Sequence, residues 1–325
     1  METTVAIFSF NRGSYLSNAC ASARRHWPAA RILIMDDHSD DRKTLKVLNE
    51  ERLLGAEVVR PGKPATERKR GGLYENMQTV WEQHLRTPYA LYMQDDQQIV
   101  RSIGARDEAA FQKHFRAPNS PPFLHVVFPR NVIWAPEDEI PLTDEKLEDI
   151  RSTFSPTTLT FDPPEMDGLS DTGLWDVERA KAVGWTFAED EAANKARGRA
   201  LFGPGRITAA PFLAHLPTPF SFRNRRVTLT RRLYFALTSD VDPVNDLTDA
   251  QNERLLTEVG EPPLGDWYLR SSRFGRSAPW HHVPMSGAPG WLVKLDVREQ
   301  ALRAHIASVR DSVRRRLSRA ARAKP

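Results

Sequence analysis

The side chains best suited to chemistry stand in four places: Gln94-Asp95-Asp96-Gln97, Asp36-Asp37 with Ser39, Asp40 and Asp41 behind it, Glu189-Asp190-Glu191, and the isolated His215. Adjacent carboxylates repel one another unless a cation or hydrogen-bond donors offset the charge, and a hard divalent ion with a diphosphate is a common solution. The plain alternative for Asp95 and Asp96 is a solvated turn, because Asp is frequent in turns. What delivers the acids separates these readings. Tyr89 to Met93 is an apolar run after the turn signal Thr87-Pro88, which reads as a buried strand of a mostly parallel sheet. Ligands of such sheets bind beyond the carboxyl ends of the strands.

The elements before it repeat one pattern. Val5 to Phe10 reads as a strand, Asn11-Arg12-Gly13-Ser14 as a turn with Ser14 as helix cap, and Tyr15 to His26 as a helix. Arg31 to Met35 is a second strand running into Asp36-Asp37, with a helix following through Leu53. Ala56 to Val59 is a short third strand, and after the basic loop Glu67-Arg68-Lys69-Arg70 a third helix spans Leu73 to Leu85. Strands alternating with helices predict a doubly wound α/β sheet, mostly parallel and flanked by helices. Three strand ends then bring polar groups to one rim: Ser9 with Asn11, Asp36 with Asp37, and Asp95 with Asp96. No glycine-rich phosphate loop follows the first strand, which disfavours a dinucleotide or P-loop site, and Gly13 reads only as a turn residue.

Composition narrows the class. The chain of 325 residues can bury a large core, and its single cysteine, Cys20, excludes an internal disulfide and a cysteine-cluster zinc site. No apolar run approaches the ~20 residues of a membrane span, and the first residues lack a basic signal-like region, so a cytoplasmic protein is expected. The formal charge of +4 is uneven: Val297 to Pro325 carries nine Lys or Arg against Glu299 and Asp311, a local +7 that leaves −3 for the rest. An acidic body argues against a general nucleic-acid binder.

In order and spacing, three segments resemble glycosyltransferase family 2, the nucleotide-sugar transferases of GT-A type. Phe8-Ser9-Phe10-Asn11-Arg12 looks like that family's first-strand turn, Asp36-Asp37-His38-Ser39-Asp40 like its second-strand segment, and Gln94-Asp95-Asp96 like its metal and diphosphate motif. The resemblance implies an inverting transferase using a UDP- or dTDP-sugar. Asp37 and Arg70 would lie at the base, Phe8, Phe10 and Asn11 along the nucleotide, and Asp95 at the diphosphate. Asp96 would hold Mn or Mg, with His215 as a further metal or diphosphate ligand. A glycine-aromatic turn at Gly184-Trp185 before Glu189-Asp190 also resembles the family and makes Asp190 the base that takes the acceptor's proton. By itself an acid there equally complements a helix dipole, and a lone histidine such as His215 is more often structural. Two departures stand out. Gln94 removes a strict Asp-x-Asp pair, and Phe8 and Phe10 replace hydroxyl-bearing residues, leaving base contact to stacking or backbone.

The resemblance covers residues 1–221. Within it, Phe123 to Phe128 reads as a strand, a Pro- and acid-rich connection begins at Ala135, and Ile207 to Leu216 reads as a last strand pair. Residues 222–296 form an extension, with helical patterns at Arg223 to Thr238 and Asp249 to Val259. Residues 297–325 read as a basic amphipathic helix, with Leu302, Ile306, Val309, Val313 and Leu317 at helical spacing. Such a helix could pack on its own body, pair with another subunit or lie on an anionic membrane surface, and the family's lipid-linked acceptors favour the last; its acceptors include carbohydrates and glycolipids. Two other classes remain at this stage: a nucleotidyltransferase of related fold, which usually opens with the missing glycine-rich loop, and a non-catalytic GT-A-like binding protein, kept in play by Gln94.

Overall fold

The computed structural model describes residues 1–61, 72–129, 132–134, 139–141, 143–155, 157–162, 171–216, 228–230, 233, 241–258, 260–272, 289–303 and 305–306. The chain groups into two compact units, Met1–Pro217 with Val241–Trp280, and Thr218–Asp240 with His281–Pro325. The expected boundaries at 221 and 296 differ from this grouping, because residues 241–280 belong to the first unit.

That first unit is built on a six-stranded sheet flanked by helices. Strands β1 (Thr3–Ser9), β2 (Arg31–Asp36), β3 (Glu57–Val59) and β4 (Tyr89–Gln94) run parallel in the order β3-β2-β1-β4. Two further strands follow: β10 (Gly173–Asp176), antiparallel to β4, and then β6 (Phe123–Leu124), antiparallel to β10. Between these come helices α1 (Gly13–His26), α2 (Arg42–Leu53) and α3 (Leu73–Thr79), the last continuing as a π-helical turn over Val80–His84. Strand β5 (Gln97–Ile99) leaves the main sheet after the Asp95-Asp96 turn and pairs with β12 (Leu213–His215).

Both faces of the sheet are covered, which is why its strands read as continuous apolar runs. Along β1 the side chains alternate: Val5 and Ile7 join Leu16, Ala19, Cys20 and Ala23 of α1, while Ala6 and Phe8 join Met77 of α3, Trp81 and Trp175. Those α1 residues recur at helical spacing and are all buried. Cys20 lies free among them, its thiol pKa pushed up first by burial.

Several local expectations are corrected. Helix α1 begins at Gly13 and no side chain caps it, so Ser14 sits inside the first turn. The strand expected from Phe123 to Phe128 stops at Leu124, because His125 and Val127 then bridge to Ile207 and Leu213 instead. Ile207 to Leu216 is not a strand pair with itself: β11 (Ile207–Thr208) pairs with β9 (Thr160–Phe161), and β12 pairs with β5. After helix α4 (Ala105–Arg116), strand β7 (Val132–Trp134) pairs with β8 (Glu139–Pro141), and the connection after Ala135 continues into helix α5 (Asp144–Ser152), capped by Thr143, whose hydroxyl accepts from Lys146 N at 3.3 Å. Most of Arg223 to Thr238 lies outside the described residues, and Asp249–Thr257 is helical as expected.

Candidate functional site

Three parallel strands end side by side at one rim. Ser9 is in register with Asp36, and Phe8 with Gln94. The backbone continues this order past the strands: Asp37 N donates to Ser9 O at 2.9 Å and Asp95 N donates to Phe8 O at 3.0 Å. The end of β1 is therefore the hub on which the two acidic segments hang.

Asp95 is almost wholly buried and turned inward. Its Oδ2 accepts from Ser9 Oγ at 2.9 Å and Phe10 N at 3.4 Å, and its Oδ1 from Arg12 Nη1 at 3.2 Å. Burial pushes its pKa up to about 6, a rise opposed by Arg12 and reinforced by Asp96. The same Arg12 Nη1 donates to Asp96 Oδ2 at 2.9 Å. Asp96 is the more accessible acid, its side chain 18% exposed against 5% for Asp95. For Arg12, burial disfavours the charge, but the two carboxylates outweigh it and the guanidinium is held above its ordinary pKa. Its Cζ also lies 5.8 Å from the Tyr15 ring centroid, within cation-π range.

The second acidic segment is anchored as firmly. Asp36, fully buried, accepts from Ser39 N at 3.0 Å, from Ser39 Oγ, and from Arg60 Nε at 2.9 Å. Arg60 Nη2 also donates to Ser39 O at 2.7 Å. Asp37 Oδ2 accepts from Gly72 N at 3.1 Å, tying the end of β2 to the start of α3. Asn11 locks the two loops together: its N donates to Ser39 Oγ at 2.8 Å, its Nδ2 to Asp40 Oδ1 at 2.7 Å, and its Oδ1 accepts from Asp40 N at 2.9 Å. Both Asn11 and His38 adopt positive φ, 50° and 58°, so each rim loop carries one left-handed non-glycine residue. Such strain gathers where structure over-determines a loop, often at ligand sites.

Asp190 stands at the start of helix α7 (Glu191–Phe202) as its N-cap, its Oδ1 accepting from Ala193 N at 2.9 Å. The loop that presents it is fixed on both sides. Gln78 Oε1 accepts from Phe187 N at 2.6 Å, and the buried Asn194 side chain binds Ala188 N at 2.7 Å, Ala188 O at 3.1 Å and Asp190 O at 2.9 Å. Asp171, just before β10, has its pKa raised by burial first and then by Glu191, while Tyr74 Oη donates to it at 3.3 Å. Because Gly173 pairs with Tyr92, Asp171 enters the sheet from the rim side where Gln94 and Asp95 leave it.

The expected site residues thus divide. Asn11, Asp37, Asp95 and Asp96 come together at one rim. The Phe8 ring does not: it packs 5.0 Å from Tyr92 in the core, so only its backbone faces the rim. Phe10 contributes its N–H to Asp95. Arg70 lies outside the described residues. His215 has Gln97 Nε2 at 3.1 and 3.3 Å from its ring nitrogens, while N of the next residue, Leu216, donates to Asp96 O at 2.8 Å. Arg12, Arg60, Asp171 and Asn194 received no role from the sequence. Arg12 was legible in principle, as the basic residue directly after the first-strand turn.

Mn or Mg at a diphosphate is held by one or two carboxylates together with phosphate oxygens and water, and Asp95 and Asp96 are the candidates here. Among the described residues no group of three or more His, Cys, Asp or Glu side chains could hold a metal ion. The two carboxylates already share the Arg12 guanidinium, and His215 lies against Gln97. With Arg12 in that position, Asp95 and Asp96 would hold an ion only after giving up that pairing.

No family model matches the chain and no curated protein is significantly similar to it. Among solved structures, S. aureus TarS 1-349 in complex with UDP-GlcNAc is similar at 16% identity and a TM-score of 0.49, over 80% of this chain and 71% of that one. The chain spans 43% of a longer S. aureus TarS chain. GalNAc-T7 with UDP, GalNAc and Mn2+ is similar at 14% identity and a TM-score of 0.46, over 66% and 43% of the two chains. The mannosyltransferase PcManGT from Pyrobaculum calidifontis, in complex with GDP-Man and Mn2+, is similar at 12% identity and a TM-score of 0.40, over 65% and 57%. These similar chains carry nucleotides or nucleotide sugars.

Proposed function

We propose that the chain is a glycosyltransferase that takes a sugar from a UDP- or dTDP-sugar and passes it, with inversion, to a hydroxyl of a carbohydrate or glycolipid acceptor, in the assembly of cell-surface polysaccharide or glycolipid. The observation that carries this reading is the rim itself. Three parallel strands end in register and present Asn11 and Arg12, Asp37, and Asp95 with Asp96 at the edge where α/β sheets bind ligands. Asp37, tied to the start of α3 by Gly72 N, would read the base. Phe10 offers its backbone rather than a hydroxyl, and the charged end of the rim is where a diphosphate would lie.

Transfer with inversion is one displacement. The acceptor hydroxyl gives its proton to the Asp190 carboxylate, its oxygen bonds to the anomeric carbon, and the carbon–oxygen bond to the phosphate breaks, releasing the nucleoside diphosphate. A carboxylate held by a helix N-terminus and a rigid loop suits that task, since a positioned base contributes roughly 10²–10⁴-fold. Asp95 and Asp96, which pair with Arg12, are the residues that would hold Mn or Mg, whose charge would stabilise the leaving diphosphate. The basic segment at the end of the sequence would bring the enzyme to the cytoplasmic face of an anionic membrane, where lipid-linked acceptors reside.

A thermal-shift panel of nucleotides tests the reading. A ligand of the folded state at a hundredfold excess over its Kd adds about 2.7 kcal/mol of apparent stability. UDP or dTDP should raise the melting temperature well above uridine, thymidine or phosphate alone. Equal shifts for nucleoside and diphosphate, or none for either, would remove the donor site.

A further inference from the structure

The two acids that the sequence marks for a metal are already joined by a cation of the chain. Arg12 Nη1 is 3.2 Å from Asp95 Oδ1 and 2.9 Å from Asp96 Oδ2, and the guanidinium rests over the Tyr15 ring. All three charged side chains are largely shielded, at 15%, 5% and 18% exposure, so solvent screens the contacts much less than on an open surface. The geometry is also fixed from outside the trio. Ser9 Oγ and Phe10 N hold the far oxygen of Asp95, and Leu216 N holds the backbone of Asp96. Arg12 itself sits at the N-cap position of α1, one residue after the strained Asn11, so its backbone is set by the loop–loop lock.

We propose that Arg12 is the resident cation of the donor site: Asp95 and Asp96 orient its guanidinium toward the diphosphate, and nucleoside diphosphate binding needs no divalent metal. This rests on the donor reading above and specifies its charge chemistry. A guanidinium is planar, permanently charged and carries five donors in a fork that matches phosphate oxygens, which lets it do the charge-neutralising work of an ion without being exchangeable. The roles of the acids are reversed relative to the resemblance, with Asp95 and Asp96 as positioning residues for an arginine. Gln94 in place of an acid fits the same reading, since it limits the negative charge that one fixed positive charge has to offset. A divalent ion placed between the same oxygens would have to expel Arg12 from two ion pairs and a ring contact, or stand beside it against like charge.

The test compares UDP binding to the full chain by calorimetry in EDTA and in excess Mn2+, beside an electron paramagnetic resonance titration of Mn2+ alone. The parent should bind UDP with the same affinity within about twofold in both buffers, and show no saturable Mn2+ site. Arg12→Gln should weaken UDP binding in EDTA by about tenfold or more, as expected for loss of a charge-assisted phosphate contact. It should also acquire Mn2+ binding at the freed carboxylates, and Arg12→Lys should recover part of the UDP affinity. Binding of UDP to the parent only with Mn2+, or a saturable Mn2+ site that Asp96→Asn removes, overturns the proposal while leaving the donor reading intact. No binding of either UDP or dTDP in either buffer overturns both. If Arg12→Gln does not fold, the two parent measurements still decide.

Discussion

At the scale of single residues, Asp190 shows how a helix cap and a candidate base can be the same carboxylate. Its Oδ1 satisfies Ala193 N, and Asn194 pins the loop on either side of it. Asn caps helices as well as Asp, so Asp190→Asn should keep the fold and the UDP affinity while turnover falls by at least a hundredfold. Turnover near the parent value would move the base to Glu189, Glu191 or Asp171. Asp171 is the residue that sequence reading had no means of finding. Its importance comes from burial and from Tyr74, a partner 97 residues away in sequence. Asp95 and Asp96 were legible because two acids close an apolar strand, but the pattern says nothing of what neutralises them. Arg12 does so across more than 80 residues of chain, a contact visible only once β1 and β4 lie side by side. Phe8 was misplaced for a simpler reason: alternation along β1 sends its ring into the core with Ala6.

At the scale of elements, the repeated strand–helix order was readable to within a few residues because apolar runs and helical spacing are local signals. What local signals miss is who pairs with whom. The segments at Ile207 and Leu213 look like a hairpin in sequence, yet each finds a distant strand, since β5 leaves the main sheet and needs a partner. Gly13 is a second case. It reads as a turn residue, but it opens α1 where that helix meets the start of α2, and an added Cβ would lie 2.6 Å from Thr44 N and 2.7 Å from Lys43 C. Gly13→Ala should therefore cost about 1–3 kcal/mol in urea unfolding through forced backbone movement, despite alanine's better helix propensity. Unchanged or higher stability would show that the two helix starts are not in close approach.

At the scale of the whole molecule, no helix among the described residues is long and apolar enough to cross a membrane. The final basic segment is described only in part: residues 290–303 and 305–306 are helical, and Leu302 and Ile306 are 59% and 57% exposed. Val309, Val313 and Leu317 lie outside the described residues. The proposed membrane contact therefore rests on exposed apolar positions beside a sequence rich in arginine, each worth roughly 1 kcal/mol near an anionic surface. Salt-sensitive flotation with anionic vesicles is expected for the full chain and should vanish when 297–325 is deleted. A full chain that stays soluble at low salt, or a deletion that floats equally well, would remove the membrane role. The donor rim is the part on which everything else depends, and hydrogen–deuterium exchange of the full chain with saturating UDP probes it most directly. Peptides covering residues 8–12, 36–41 and 94–98 should slow together, because a diphosphate and its base span all three strand ends. If exchange slows only elsewhere, or nowhere at saturation, the rim is not the nucleotide site.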